Sequence, residues 1–211
     1  MCSIEEKSLI DELFSSLELW RYFIALIISL LGSSIPIAIT YLWKLRKLIA
    51  RNYRNLQKAE KKLVKDIRKS KTLRVYTMKG AMFTEESNIM ENTINNSNLE
   101  QQYLISSSDN PFIARMNREL NIDHFQMAVF DSIQKFKRAQ GINNKIKVRL
   151  HKEMNRISLI ILDSCLYLSE QKENIIAKKT EVIRIPSGTP EYINYLTYFD
   201  DLWDKYVIDS E

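Results

Sequence analysis

Between Arg21 and Lys44 the chain runs for twenty-two residues, YFIALIISLLGSSIPIAITYLW, without a charge, and no other stretch narrows its possible folds as much. At the α-helical rise such a run covers the roughly 30 Å hydrocarbon core of a bilayer. Trp20, Tyr22 and Phe23 at one end, and Tyr41 and Trp43 at the other, stand where amphipathic rings settle at the headgroup level. The pattern predicts a transmembrane helix over residues 20–43, with the lipid bilayer as a partner. The preceding SIEEKSLIDELFSSLEL is acidic, unlike a cleaved leader. A buried helix of a soluble domain seldom runs this long without a polar face.

Lys and Arg distribute unevenly around the run. Lys44, Arg46, Lys47, Arg51, Arg54, Lys58, Lys61 and Lys62 follow it, whereas Lys7 and Arg21 are the basic residues before it. Positive residues stay on the cytoplasmic side, so the N-terminus is expected outside and the C-terminal part in the cytoplasm. The same cluster accounts for much of the net charge of +5 as attraction to anionic lipid, so nucleic acid is not needed to explain it. In mid-span, Ser29, Gly32 and Ser33 put small residues on nearly one face, and Pro36 removes the hydrogen bond to the Gly32 carbonyl. Close helix packing and a hinge are both open readings of these four positions.

Residues 1–19 read as a short amphipathic helix, with Ser3 and Glu6 at capping-box spacing and Leu9, Ile10, Leu13, Phe14 and Leu17 at helical intervals. Residues 44–72 hold neither Gly nor Pro and read as a basic helical stalk. Leu45, Ile49, Asn52, Leu56, Ala59 and Leu63 form a weak heptad suited to a parallel homo-oligomer or to a single solvated helix. The cysteines Cys2 and Cys165, with His124 and His151, make neither a disulfide framework nor a zinc pattern, so no metal and no cofactor is expected.

From residue 73 the composition changes. LRVYTM reads as a strand closed by Gly80, ESNIMENTINNSN as helix and turn, and QQYLISS as a second strand. Asp109 or Asn110 caps a helix with Pro111 at its first position, and a further helix spans 123–139, ended by Gly141. IKVRLHK, ISLIILDSCLYLSE and TEVIRIP supply three more strands before the closing helix PEYINYLTYFDDLWDKY. Strands alternating with helices predict a three-layer α/β domain over residues 73–211.

GAMF, LISSSDNPFIARMNRE, VRLHKEMNRISLIILDSCLYLS and EVIRIPSGTPEYINYLTYFDDLWDKY, in that order, resemble the degenerate phospholipase-D-like domains of some bacterial regulators, over Leu73 to Tyr206. Active enzymes of that superfamily carry H-x-K-x-x-x-x-D, with His as nucleophile. Setting Asp163 at the motif Asp puts Arg156 in place of His and Ser158 in place of Lys. His151 and Lys152 are adjacent, so on a strand they face opposite ways. The resemblance therefore implies a domain that is not an enzyme, with His124 and His151 structural or solvated.

Lys79, Arg115, Arg118, Arg149 and His151 remain as candidates for an anion or partner pocket, against ordinary surface charge. An anchor, a basic stalk and a cytoplasmic domain together look like the small membrane effectors of bacterial anti-phage defence. Among these the retron type is favoured, which implies an inner-membrane protein restrained by a reverse transcriptase with its RNA–DNA hybrid. Gating by a cyclic oligonucleotide messenger is the alternative, and a membrane-tethered phosphodiesterase or nuclease the third.

Overall fold

In a computed structural model of the protein, residues 49–84, 88–120, 124–170 and 180–206 are described. The expected N-terminal helix and membrane span, with Ser29, Gly32, Ser33 and Pro36, lie outside them. Among the described residues no helix is long and apolar enough to cross a membrane.

Seven strands form one mixed sheet: β1 (Arg51–Tyr53), β2 (Thr72–Thr77), β3 (Glu100–Ser106), β4 (Ile146–His151), β5 (Ile157–Leu162), β6 (Cys165–Glu170) and β7 (Val182–Pro186). Their order across the sheet is β1-β7-β6-β5-β2-β3-β4. β2, β3 and β4 run parallel, and the remaining neighbours pair antiparallel. The helices are α1 (Leu56–Ile67), α2 (Asn88–Thr93), α3 (Phe112–Leu120), α4 (Phe125–Ile142) and α5 (Pro190–Lys205).

Alternation along the strands divides the core in two. Leu73, Val75, Tyr103, Ile105, Ile160 and Tyr167 face one side, where α1 and α4 cover them with Leu63, Ile67 and Phe136. Tyr76, Leu104, Leu159, Ile161 and Leu166 face the other, against Phe199, Leu202 and Trp203 of α5. Each large apolar side chain enclosed in this way contributes about 1.5–3 kcal/mol. A mixed α/β architecture is therefore present, as expected, with helices on both faces of the sheet.

Two expectations about its extent need correction. Within the expected stalk of residues 44–72, the described part from residue 49 onward is not separate from the domain but belongs to the same compact unit. Asn52 sits in β1, which pairs with β7 through Arg51↔Arg184 and Tyr53↔Val182, so no heptad runs through it. Asn55 caps α1 by accepting a hydrogen bond from the Lys58 amide at 3.0 Å, and Ala59, Leu63, Val64 and Ile67 pack on the sheet. Of the apolar positions read as a weak heptad, Leu56, Ala59 and Leu63 do share one packed face while Ile49 is exposed, and periodicity does not say what covers a stripe.

The second correction concerns ISLIILDSCLYLSE, which is two strands rather than one. Asp163 and Ser164 turn the chain between Leu162 and Cys165, which pair directly. Both strands are buried on both faces, so no polar alternation marks the break, and the turn lacks glycine. Gly80, which follows β2, adopts φ 67°, and a Cβ there would stand 2.9 Å from the Phe136 ring. Glycine is the residue that fits that left-handed close approach.

Candidate functional site

β2, β3 and β4 are parallel, so their C-terminal ends, Thr77, Ser106 and His151, meet at one edge of the sheet, with Ser106 and His151 in register. Antiparallel β5 begins at the same edge. Crevices outside the carboxyl ends of parallel strands are the usual ligand positions in open α/β sheets. A groove of about 340 Å³ opens at the opposite edge, between Arg74, Glu100, Gln102, Lys145 and Lys147. Its Arg74 is already held by Gln102 at 3.1 Å and Asp200 at 3.5 Å, so the strand-end edge carries more chemistry.

His151 is fully buried there. Its Nε2 lies 3.5 Å from the Thr77 carbonyl, and its ring packs 4.9 Å from Tyr76 and 6.2 Å from Tyr206. Burial disfavours the imidazolium and pushes its pKa down to about 4, against weaker upward pulls from the Thr77 carbonyl and Glu153. The ring is therefore neutral near pH 7. With Nε2–H directed at Thr77, Nδ1 carries the lone pair, and this buried atom has no hydrogen-bond partner. Asn155 Nδ2 is likewise buried and unsatisfied, while its Oδ1 accepts from the Ile157 amide at 2.9 Å.

Neighbouring groups hold the edge in place. Asn110 donates to Ser106 Oγ at 2.8 Å and to the Glu153 carbonyl at 3.1 Å, and its Oδ1 accepts from the Phe112 amide at 3.0 Å, closing the start of α3. Asn110, rather than Asp109, thus performs the capping read from the sequence. Asp109 instead pairs with Lys152 at 2.6 Å and also accepts from Ser107, and these donors hold its carboxyl below the usual range. Glu153 accepts from Lys205 and from Tyr206 at 2.8 Å, with the same effect. These two charged pairs are exposed and stabilise little.

The five candidate anion-binding residues do not share one role. His151 opens the segment joining β4 and β5, and Arg115 reaches that segment with Nη1 at 4.0 Å from Met154 Sδ. Arg149 is engaged by α5: it donates to the Trp203 carbonyl and its guanidinium lies 4.3 Å from the Trp203 ring. Arg118 is exposed on α3, and Lys79 lies just beyond β2. His124 immediately precedes α4 with φ 76°.

The motif positions separate along β5. Ser158 Oγ lies 3.4 Å from Thr77 Oγ1 at the His151 edge. Asp163 is at the far end, roughly 15 Å away at the strand rise, accepting from the Lys71 amide at 2.6 Å and from Thr72 Oγ1. Asp163 is a support of the fold. His151 and Lys152 do face apart, one buried and the other exposed. What sequence reasoning missed is that β4 delivers His151 to the edge at which β5 begins, just after Arg156. Parallel pairing of β3 with β4 is the cause, and a strand's own sequence does not announce its register. Among the described residues no group of three or more His, Cys, Asp and Glu could hold a metal ion.

No family model matches the chain, and no curated protein matches it. Solved structures to which it is similar include the following. A phospholipase D family member, Nuc from Salmonella typhimurium, is 13% identical with a TM-score of 0.48, over 75% of this chain and 96% of that one. NucT from Helicobacter pylori is 14% identical with a TM-score of 0.45, over 75% and 99%. TrmBL2, an archaeal chromatin protein with a described mode of DNA binding, is 10% identical with a TM-score of 0.46, over 95% of this chain and 66% of that one. The expectation that the chain is not an enzyme, which rested on the motif positions held by Arg156 and Ser158, is withdrawn, since the solved structures it is similar to include phospholipase D family members.

Proposed function

We propose that the protein is a membrane-anchored effector of bacterial antiviral defence, which perturbs the inner membrane to halt growth on phage infection. One observation carries the reading: the uncharged run Tyr22–Trp43, with eight basic residues between 44 and 62 on one side and Lys7 and Arg21 on the other. The α/β domain that follows is the controller, and Ser29, Gly32, Ser33 and Pro36 are the positions through which the span packs or bends. The resemblance to retron-type effectors supplies the restraint, a reverse transcriptase bound to its RNA–DNA hybrid. In the alternative a cyclic oligonucleotide messenger bound to the domain gates the span.

Induced expression tests the core of the proposal. The protein should stay in the membrane pellet at alkaline pH, and a potential-sensitive dye should report depolarisation. A chain that extracts as a soluble species, or full membrane potential in arrested cells, overturns it. Co-purification of a reverse transcriptase with hybrid nucleic acid supports the retron restraint. Micromolar binding of a cyclic oligonucleotide without that complex favours the messenger.

A second reading, a membrane-tethered phosphodiesterase or nuclease, is supported by the neutral, unpartnered Nδ1 of His151 at the strand ends. Hydrolysis of a simple phosphodiester or of single-stranded DNA by the purified full chain, lost in His151→Ala, is the expected result. Equal rates in the two proteins would sink it.

A further inference from the structure

From residue 51 to 71 the chain carries nine Lys and Arg against two acids, a net +7, so the rest of the protein sums to −2. The fold turns this excess into a surface. Ala59, Leu63, Val64 and Ile67 of α1 face the sheet, which leaves Lys58, Lys61, Lys65 and Arg68 exposed at spacings of three and four along the opposite side. Arg51 and Arg54 precede them and Lys69 and Lys71 follow, all exposed. Of the two acids, Asp66 is buried and holds Arg184 and Lys62 at 2.8 and 2.6 Å, so it does not neutralise the outer stripe. Like charges one turn apart destabilise a helix by itself, and an anionic surface relieves that repulsion.

We propose that this outer face of α1 docks on anionic phospholipid headgroups and fixes the domain against the bilayer in one orientation, an inference that rests on reading residues 22–43 as a membrane span. Two observations select the lipid. The uncharged run ends at Trp43, fifteen residues before Lys58, so an inserted span holds α1 within about 50 Å of the headgroups even with the joining chain fully extended. The charge is also complementary: cations within a Debye length of an anionic leaflet are attracted individually, and a one-sided row brings several there together.

The test uses the full chain reconstituted into phosphatidylcholine vesicles with and without phosphatidylglycerol. Acylation by a membrane-impermeant amine reagent is read by mass spectrometry at Lys58, Lys61 and Lys65, normalised to exposed Lys135 on α4. Phosphatidylglycerol should slow acylation of the three lysines at least about threefold, and about 0.5 M NaCl should restore it. Equal reactivity in both lipids, while the chain still floats with both vesicles, overturns the docking face and leaves the membrane span standing. Flotation with phosphatidylglycerol vesicles only, abolished by salt, sinks the span and upholds the face. Protection by added duplex DNA but not by phosphatidylglycerol overturns the lipid as the partner.

Discussion

Two buried residues with opposite demands show what individual side chains decide. Asp66 accepts from Lys62 at 2.6 Å, Arg184 at 2.8 Å, Tyr167 at 2.9 Å and the Cys165 thiol at 3.4 Å, joining α1 to β6 and β7. Burial alone would raise its pKa, but the donors outweigh burial and lower it. Asp66→Ala strands the Arg184 guanidinium and should cost about 3 kcal/mol in a denaturant titration. A lowered carboxylate pKa means that the unfolded chain takes up the proton first. The Asp66 contribution is therefore present above about pH 4 and is lost as pH falls through the lower folded value. Asp66→Asn should accordingly flatten the acid limb of the stability curve.

His151 acts on the same balance in another window. Its folded pKa of about 4 lies below the ordinary 6.5, so the unfolded state gains protons from pH 6.5 downward and stability falls until about pH 4. The loss between pH 7 and pH 5 should be about 2 kcal/mol, and His151→Gln should remove it. An identical pH dependence in wild type and variant would show that the imidazole is not held neutral.

At the scale of elements, α1 and the turn after β2 give the sharpest tests. Leu63 is fully buried between α1 and the sheet, so Leu63→Ala should destabilise the domain by about 2–5 kcal/mol. A solvated stalk would show almost no change, so the same denaturant measurement decides between the two accounts of residues 56–67. Gly80→Ala should cost about 1–3 kcal/mol, because a left-handed backbone and the Phe136 ring both resist a Cβ. Thermal unfolding reads that loss. A Gly80→Ala protein as stable as the wild type would mean that Phe136 swings aside at little expense.

For the whole molecule the prediction concerns the proposed span. Gly32→Leu and Pro36→Ala preserve hydrophobicity while removing a close-packing position and a kink, so membrane insertion should persist and depolarisation should disappear. Dye fluorescence after induction, alongside fractionation, separates the two effects. Undiminished depolarisation in both variants would show that neither packing nor bending at these positions matters.

Local features were legible in the sequence wherever a residue acts on its own segment. The apolar stripe of α1, the strand LRVYTM, a cap at Asp109 or Asn110 ahead of α3 and the closing helix from Pro190 could all be read from periodicity, capping and composition, because hydrogen bonds and burial patterns within an element follow its own residues. Partners could not. Whether the stripe of α1 meets a second copy or a sheet, whether Arg149 meets an anion or Trp203, and whether His151 stands beside Thr77 depend on strand order and register. Those are settled by contacts between residues 74 to 92 positions apart in the chain, as with Thr77 and His151 or Asp163 and Lys71. Such contacts form only when several elements pack together, and no single element's sequence encodes them.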